Sequence, residues 1–149
     1  MKMYQSAMLS CFFLVSGYSV TAQKLKANQV PAPVQQAFKG KFARATDIDW
    51  KKEGNQYKAS FDMGDVDHDV FYNAAGKLVS HSYEIKVAEL PAAVQAAAKT
   101  NFPKHKLDDP ERVETNGTVT YKVELDGRPD MKAVFAADGK LISKKEDID

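Results

Sequence analysis

Cysteine is nearly missing from this 149-residue chain: the one present is Cys11, close to the N-terminus. Residues Ala7 to Val20 form an apolar run broken by serine and glycine, behind a short basic start at Lys2 and ahead of the small-residue pattern Val20-Thr21-Ala22. That arrangement predicts a secretory leader over residues 1–22, cleaved after Ala22, so the exported chain begins at Gln23. Met8-Leu9-Ser10 makes a poor lipidation box before Cys11, and the apolar run continues past it. With the leader goes the only thiol, which excludes disulfide staples, Cys-ligated metals and a Cys nucleophile together. A permanent membrane span is also missing, because the apolar run is short of the roughly 20 residues a spanning helix needs and no later stretch approaches it. The expected location is therefore periplasmic or secreted.

Charge of one sign is lacking too. The chain has 21 Lys plus Arg against 20 Asp plus Glu, and the leader holds one of the lysines, Lys2. A balanced exported chain does not suit nucleic acid, whose phosphates demand a cationic surplus. Nucleotide loops and nucleophile elbows are absent as well: no serine falls in Gly-x-Ser-x-Gly, no glycine-rich phosphate loop occurs, and no spacing pairs a nucleophile with a base. The sequence therefore reads as a non-enzyme without a cofactor.

An internal repeat stands out from this background. Val30-Pro31-Ala32-Pro33-Val34-Gln35 aligns with Leu90-Pro91-Ala92-Ala93-Val94-Gln95, 60 residues on, and Tyr72-Asn73-Ala74-Ala75-Gly76-Lys77-Leu78 aligns with Phe135-Ala136-Ala137-Asp138-Gly139-Lys140-Leu141, 63 residues on. Two matching blocks in the same order imply duplication, with copies over residues 23–85 and 86–149.

Each copy opens with an apolar stripe at intervals of four: Val30, Val34, Phe38, Phe42, then Leu90, Val94, Ala98, Phe102. That spacing predicts a helix with one buried face. Prolines 31 and 91 fit its first turn, where a missing N–H leaves no gap, and Pro103 closes the second helix. The period then changes to two, predicting four strands per copy: Asp47 to Lys51, Tyr57 to Phe61, Asp69 to Tyr72 and Lys77 to Tyr83 in the first. The fold class is accordingly α+β, a tandem repeat of a helix packed on a four-stranded antiparallel sheet. Tyr57, Ala59, Phe61, Val70, Tyr72 and Leu78 are expected to face the first helix, with Tyr121, Val123, Leu125, Ala133, Phe135 and Leu141 facing the second. Trp50 is expected in the core.

Together these residues resemble a known pattern. Pro-x-x-Val-x-x-x-Phe on a helix, a Tyr-x-Ala or Tyr-x-Val strand and a terminal Asn/Asp-x-x-Gly-Lys-Leu or Asp-Gly-Lys-Leu hairpin, all repeated, are similar to the PepSY-like family of exported bacterial proteins, with a beta-lactamase-inhibitor-protein-like fold. The resemblance runs from about Val30 to Ile148. It implies a two-layer α/β unit without catalytic residues, acting as an inhibitor or binder of proteins or peptides through its sheet. The motifs are structural, and this chain lacks the inhibitor's disulfide cysteines.

Two candidate sites follow from the residues themselves. If Asn73 and Lys77 flank their turn symmetrically, Phe71, Val79, His81 and Tyr83 point away from the first helix and form an outer sheet surface for a protein or peptide partner in the cell envelope. The other reading of that surface is packing between the two copies. The second candidate is the acidic hairpin: Asp65, Asp67 and Asp69, beside His68, have the 1-3-5 spacing of a calcium loop. Position six, however, is Val70 rather than glycine and position twelve is Gly76 rather than glutamate, which fits a solvated hairpin tip. The same symmetric hairpin would set Asp69 opposite His81, and His105 is expected at the surface.

Overall fold

A computed structural model describes residues 21–148; the expected leader, with Cys11, falls outside them apart from its last two residues. Among the described residues, nine strands follow one another as a single antiparallel meander, in spatial order β1 to β9. They are β1 (Gln23–Leu25), β2 (Thr46–Glu53), β3 (Gln56–Met63), β4 (Val66–Asn73), β5 (Leu78–Glu84), β6 (Lys106–Thr115), β7 (Thr118–Asp126), β8 (Met131–Ala136) and β9 (Leu141–Glu146). Helix α1 (Ala32–Lys41) stands between β1 and β2, and α2 (Ala92–Asn101) between β5 and β6.

The sequence leaves open whether the four-stranded sheets expected of the two copies join, and the strand order decides it: all strands belong to one nine-stranded sheet. Strand β5 pairs directly with β6, from Ser80↔Thr115 to Glu84↔Glu111, so the sheets of the two copies run into one another. The physical reason is the sheet edge: β5 would otherwise present a row of unpaired backbone groups, and β6 saturates them.

Both helices lie on one face. Val30, Val34, Phe38 and Phe42 close over Trp50, Ala59, Phe61, Val70 and Tyr72, while Leu90, Val94, Ala98 and Phe102 close over Val123, Leu125, Ala133 and Phe135. The cross-strand row Phe61, His68, Tyr83, Arg112, Tyr121, Phe135 connects the two clusters along the same side of the sheet. Every residue of the two helical stripes is buried, as the four-residue spacing predicts, and so is Trp50. Phe38 meets Trp50 and Phe61 edge-on, with centroids 5.1 and 5.0 Å apart.

Local chemistry repeats with the sequence. Gln35 donates from its amide to the Val30 carbonyl at 2.8 Å, and Gln95 donates to that of Leu90 at 3.0 Å. Each bond ties a helix to the extended residue before it. Ile48 shares Trp50's side but is exposed: β1 reaches only Trp50 to Lys52, leaving the start of β2 at a bare edge, and Asp47 (φ 51°) disrupts the register there.

Candidate functional site

The strand β5 decides where the expected site residues go. Tyr72 pairs with Leu78, but Phe71 pairs with Ser80, so Val79 is the extra residue of a β-bulge. A slip of one residue moves every later side chain to the opposite face. Val70 therefore stands opposite His81, Asp69 opposite Ser82 and His68 opposite Tyr83. The expected symmetric hairpin, with Asp69 facing His81, is corrected accordingly. His81 and Tyr83 lie on the helix side, and Phe71 stays on the outer face.

On the helix side, the bulge assembles a stack of rings between the two helices. His68 stacks between Phe61 and Tyr83 at centroid distances of 5.4 and 4.9 Å, and Arg112 lies 5.8 Å over Tyr83. Nδ1 of His68 and Nε2 of His81 are 2.9 Å apart, so one ring donates to the other. The Phe42 ring meets His81 edge-on at 5.2 Å. Burial, then the neighbouring His68, Lys41 and Arg112, push His81 down to about 4. Burial also lowers His68, against the pull of Asp67 and Asp62. This neutral pair belongs to the seam between copies, where Arg112 is fixed by two bonds of 3.1 Å to one oxygen of Glu114.

The outer face is of another kind. Its rows read Asp49, Ser60, Asp69, Ser82, Val113, Thr120 and, one step along the strands, Lys58, Phe71, Ser80, Thr115. All of these are half-buried or exposed. Lys58 bridges the two rows: its ammonium is 2.9 Å from Asp69 and 5.6 Å from the Phe71 ring centre. Beside them is a hollow of about 550 Å³ lined by carboxylates, among them Asp62, Asp67, Asp69, Glu84, Glu111 and Glu124, with no lysine or arginine in its wall. Asp62 is raised above the usual aspartate range by desolvation, then by a hydrogen bond to Asp67 and by the charges of Asp67 and Asp47. Crowded negative charge thus adds to desolvation there, against the pull of His68.

Of the three aspartates proposed as ligands, Asp67 and Asp69 share the wall of the hollow and Asp65 stands apart from it. Asp65 is in the exposed β3–β4 turn, Asp67 faces Asp62 across strands, and Asp69 accepts from the Ser60 hydroxyl at 2.6 Å while pairing with Lys58. Among the described residues, no group of three or more His, Cys, Asp or Glu side chains is placed to hold a metal ion. His105 is not a bare surface residue: its Nε2 is 2.8 Å from the Pro129 carbonyl, and its ring packs on Phe102.

One signal in the sequence pointed to the bulge. Leu78 packs against the first core and Ile85 against the second, seven residues apart, an odd interval that two residues on one strand face cannot have. Ile142 is the matching extra residue of β9, between Val134↔Ser143 and Phe135↔Leu141.

Comparison with known families bears on this geometry. The family described as "Putative beta-lactamase-inhibitor-like, PepSY-like" matches twice, over residues 18–80 and 77–143. The chain belongs to this PepSY-like family. Solved structures with the PepSY-like fold include a DUF2874 family protein from Bacteroides uniformis, with TM-score 0.70 and 21% identity over 78% of this chain and 88% of that one. A BLIP-like protein from Bacteroides fragilis gives 0.66 and 22% over 78% and 86%. A third, from Bacteroides eggerthii and described among "putative periplasmic proteins", gives 0.71 and 20% over 78% and 88%. These likenesses establish the fold. No curated protein matches. Among the described residues of this PepSY-like chain, no helix is long and apolar enough to cross a membrane.

Proposed function

We propose that this protein is a non-catalytic binding module of the cell envelope, with an inhibitor-like mode of action, that docks a protein or peptide on the sheet face opposite its helices. The observation that carries the reading is the outer face itself. One side of a continuous nine-stranded sheet holds both helices and both cores, while the other presents Phe71 and Lys58 beside an acid-walled hollow. An aromatic ring next to a recess is the kind of anchor from which interfaces draw most of their energy. The charge of the hollow suits a partner that brings lysine or arginine to it, which would speed encounter and fix register. The family resemblance and the neighbours' periplasmic description support an envelope setting. Two units, residues 23–85 and 86–149, would build this surface jointly.

Of the residues first assigned to the surface, Phe71 keeps its place, Val79 shapes the strand as its bulge, and His81 with Tyr83 serves the opposite face. The test is capture of a partner from native envelope extract by the exported protein and three variants. Phe71→Ser and Asp62→Lys/Asp67→Lys should each lose the partner that the wild type retains, while Tyr83→Ser on the helix side should keep it. Retention by both outer-face variants, or loss only from Tyr83→Ser, removes the reading.

A further inference from the structure

The duplication places three versions of one short strand in this molecule. Leu25 pairs with Trp50 in β2, and 60 residues on the Ile85 N–H donates to Pro110 in β6 at 2.9 Å. Gln23-Lys24-Leu25 is thus the counterpart of Tyr83-Glu84-Ile85. Strands β5 and β9 share their bulge at an offset of 63, which makes Glu146-Asp147-Ile148 a third version. The first lies on β2 and the second on β6. Among the described residues, no strand lies beside the third, and Ile148 is 86% exposed.

We infer that the interaction partner of this C-terminal strand is a second copy of the same chain, joined head to tail through β9 and β2 in the register that already joins β5 to β6. In that register, the seam pairs Glu84↔Glu111, Tyr83↔Arg112 and Ser82↔Val113 become Asp147 opposite Lys51, Glu146 opposite Lys52 and Lys145 opposite Glu53 of the next copy. All three pairs bring opposite charges together, which stabilises directly opposed strand positions. Ile148 takes the place of Leu25 beside Trp50.

The strand now in that place is a poor cover. It is three residues long, two of them exposed, and it sets Lys24 against Lys51, so that Lys24 turns to Asp49 at 3.0 Å instead. The next copy's tail would replace a like-charge pair with an opposite one. Lys145, Glu146 and Glu53 take part in none of the ion pairs among the described residues, whereas Asp147 is already 2.9 Å from Lys132 and would share it. The contact joins two different surfaces, so it adds copies head to tail, as an open chain or a ring, instead of closing a two-fold pair.

The experiment uses the exported protein and charge exchange. Sedimentation equilibrium should show an average mass that rises with concentration up to the solubility limit. Lys145→Glu should weaken association by about tenfold or more, and adding Glu53→Lys should restore it. Independently, Lys145→Cys with Glu53→Cys should give a ladder of disulfide-linked species on a non-reducing gel. Positions 53 and 145 lie on strands seven intervals apart, roughly 33 Å across the sheet, so that bond joins different copies. A protein that stays monomeric at every concentration overturns the inference. So does association indifferent to Lys145→Glu, or a double-cysteine variant that gives only the dimers formed by Lys145→Cys alone.

Discussion

A methyl group on Gly76 would sit 2.5 Å from the carbonyl oxygen of Pro33, at the start of α1. The β4–β5 turn is pressed against the helix there, and the same relation recurs between Gly139 and Ala93 at 2.6 Å. Gly76 also has φ +84°, a conformation that L side chains avoid. Two independent requirements therefore meet at the glycine of the Gly-Lys-Leu motif, which pins sheet to helix.

Gly76→Ala is expected to destabilise the fold by about 3 kcal/mol, from backbone strain together with the clash. Gly40→Ala should do the reverse. Gly40 is inside α1 with open space around it, so alanine there stabilises by about 0.5–1 kcal/mol through helix propensity. Urea unfolding of both variants measures the pair, and equal effects would mean that the turn does not bear on the helix.

Tyr72 is buried with its hydroxyl unpartnered, and burial pushes it up to about 12. Its counterpart in the second copy is Phe135, also fully buried. Tyr72→Phe should therefore keep or raise stability, by about 1 kcal/mol at most, because it removes a desolvated polar group and leaves none behind. Because burial penalises only the ionised phenol, stability does not depend on the titration of Tyr72 below pH 10 and is lost as pH rises from 10 toward 12, where the unfolded chain gives up the proton first. Alkaline unfolding followed by circular dichroism should thus begin later in Tyr72→Phe than in the wild type.

His81 titrates the other way. Its folded value of about 4 is below the unfolded 6.5, so the unfolded chain takes up the proton first as pH falls. The stability that neutral His81 allows is fully present above pH 6.5 and is lost between 6.5 and 4, on the order of 2 kcal/mol once solvent screening of a half-buried ring is counted. The groups facing it, His68, Lys41 and Arg112, all oppose a positive charge, and Glu114 alone favours one. His81→Phe should flatten this part of the pH profile in thermal unfolding scans, and an unchanged slope would place the acid sensitivity elsewhere.

Much of the architecture was legible because simple periods carry it. The intervals of four from Val30 to Phe42 and from Leu90 to Phe102 are fixed by helix geometry, and the alternation Tyr57, Ala59, Phe61 by the pleat. The site was legible only as far as Phe71. Past Val79 a single inserted residue reverses the alternation, and a bulge has no composition of its own; only the odd interval from Leu78 to Ile85 betrays it. The joining of two sheets into one was hidden for a related reason. Pairing of β5 with β6 joins residues 27 to 35 positions apart, and nothing local in Ser80 to Glu84 names Glu111 to Thr115 as the partner.

The proposed docking face is tested most directly by photo-crosslinking in living cells. A photoreactive phenylalanine analogue at position 71 reports on the outer sheet face, and one at Gln36, exposed on α1, reports on the helix side. Irradiation should give a discrete adduct of higher mass from position 71 and none from position 36. An adduct from position 36 alone, or from neither, would contradict a sheet face that works by holding a partner.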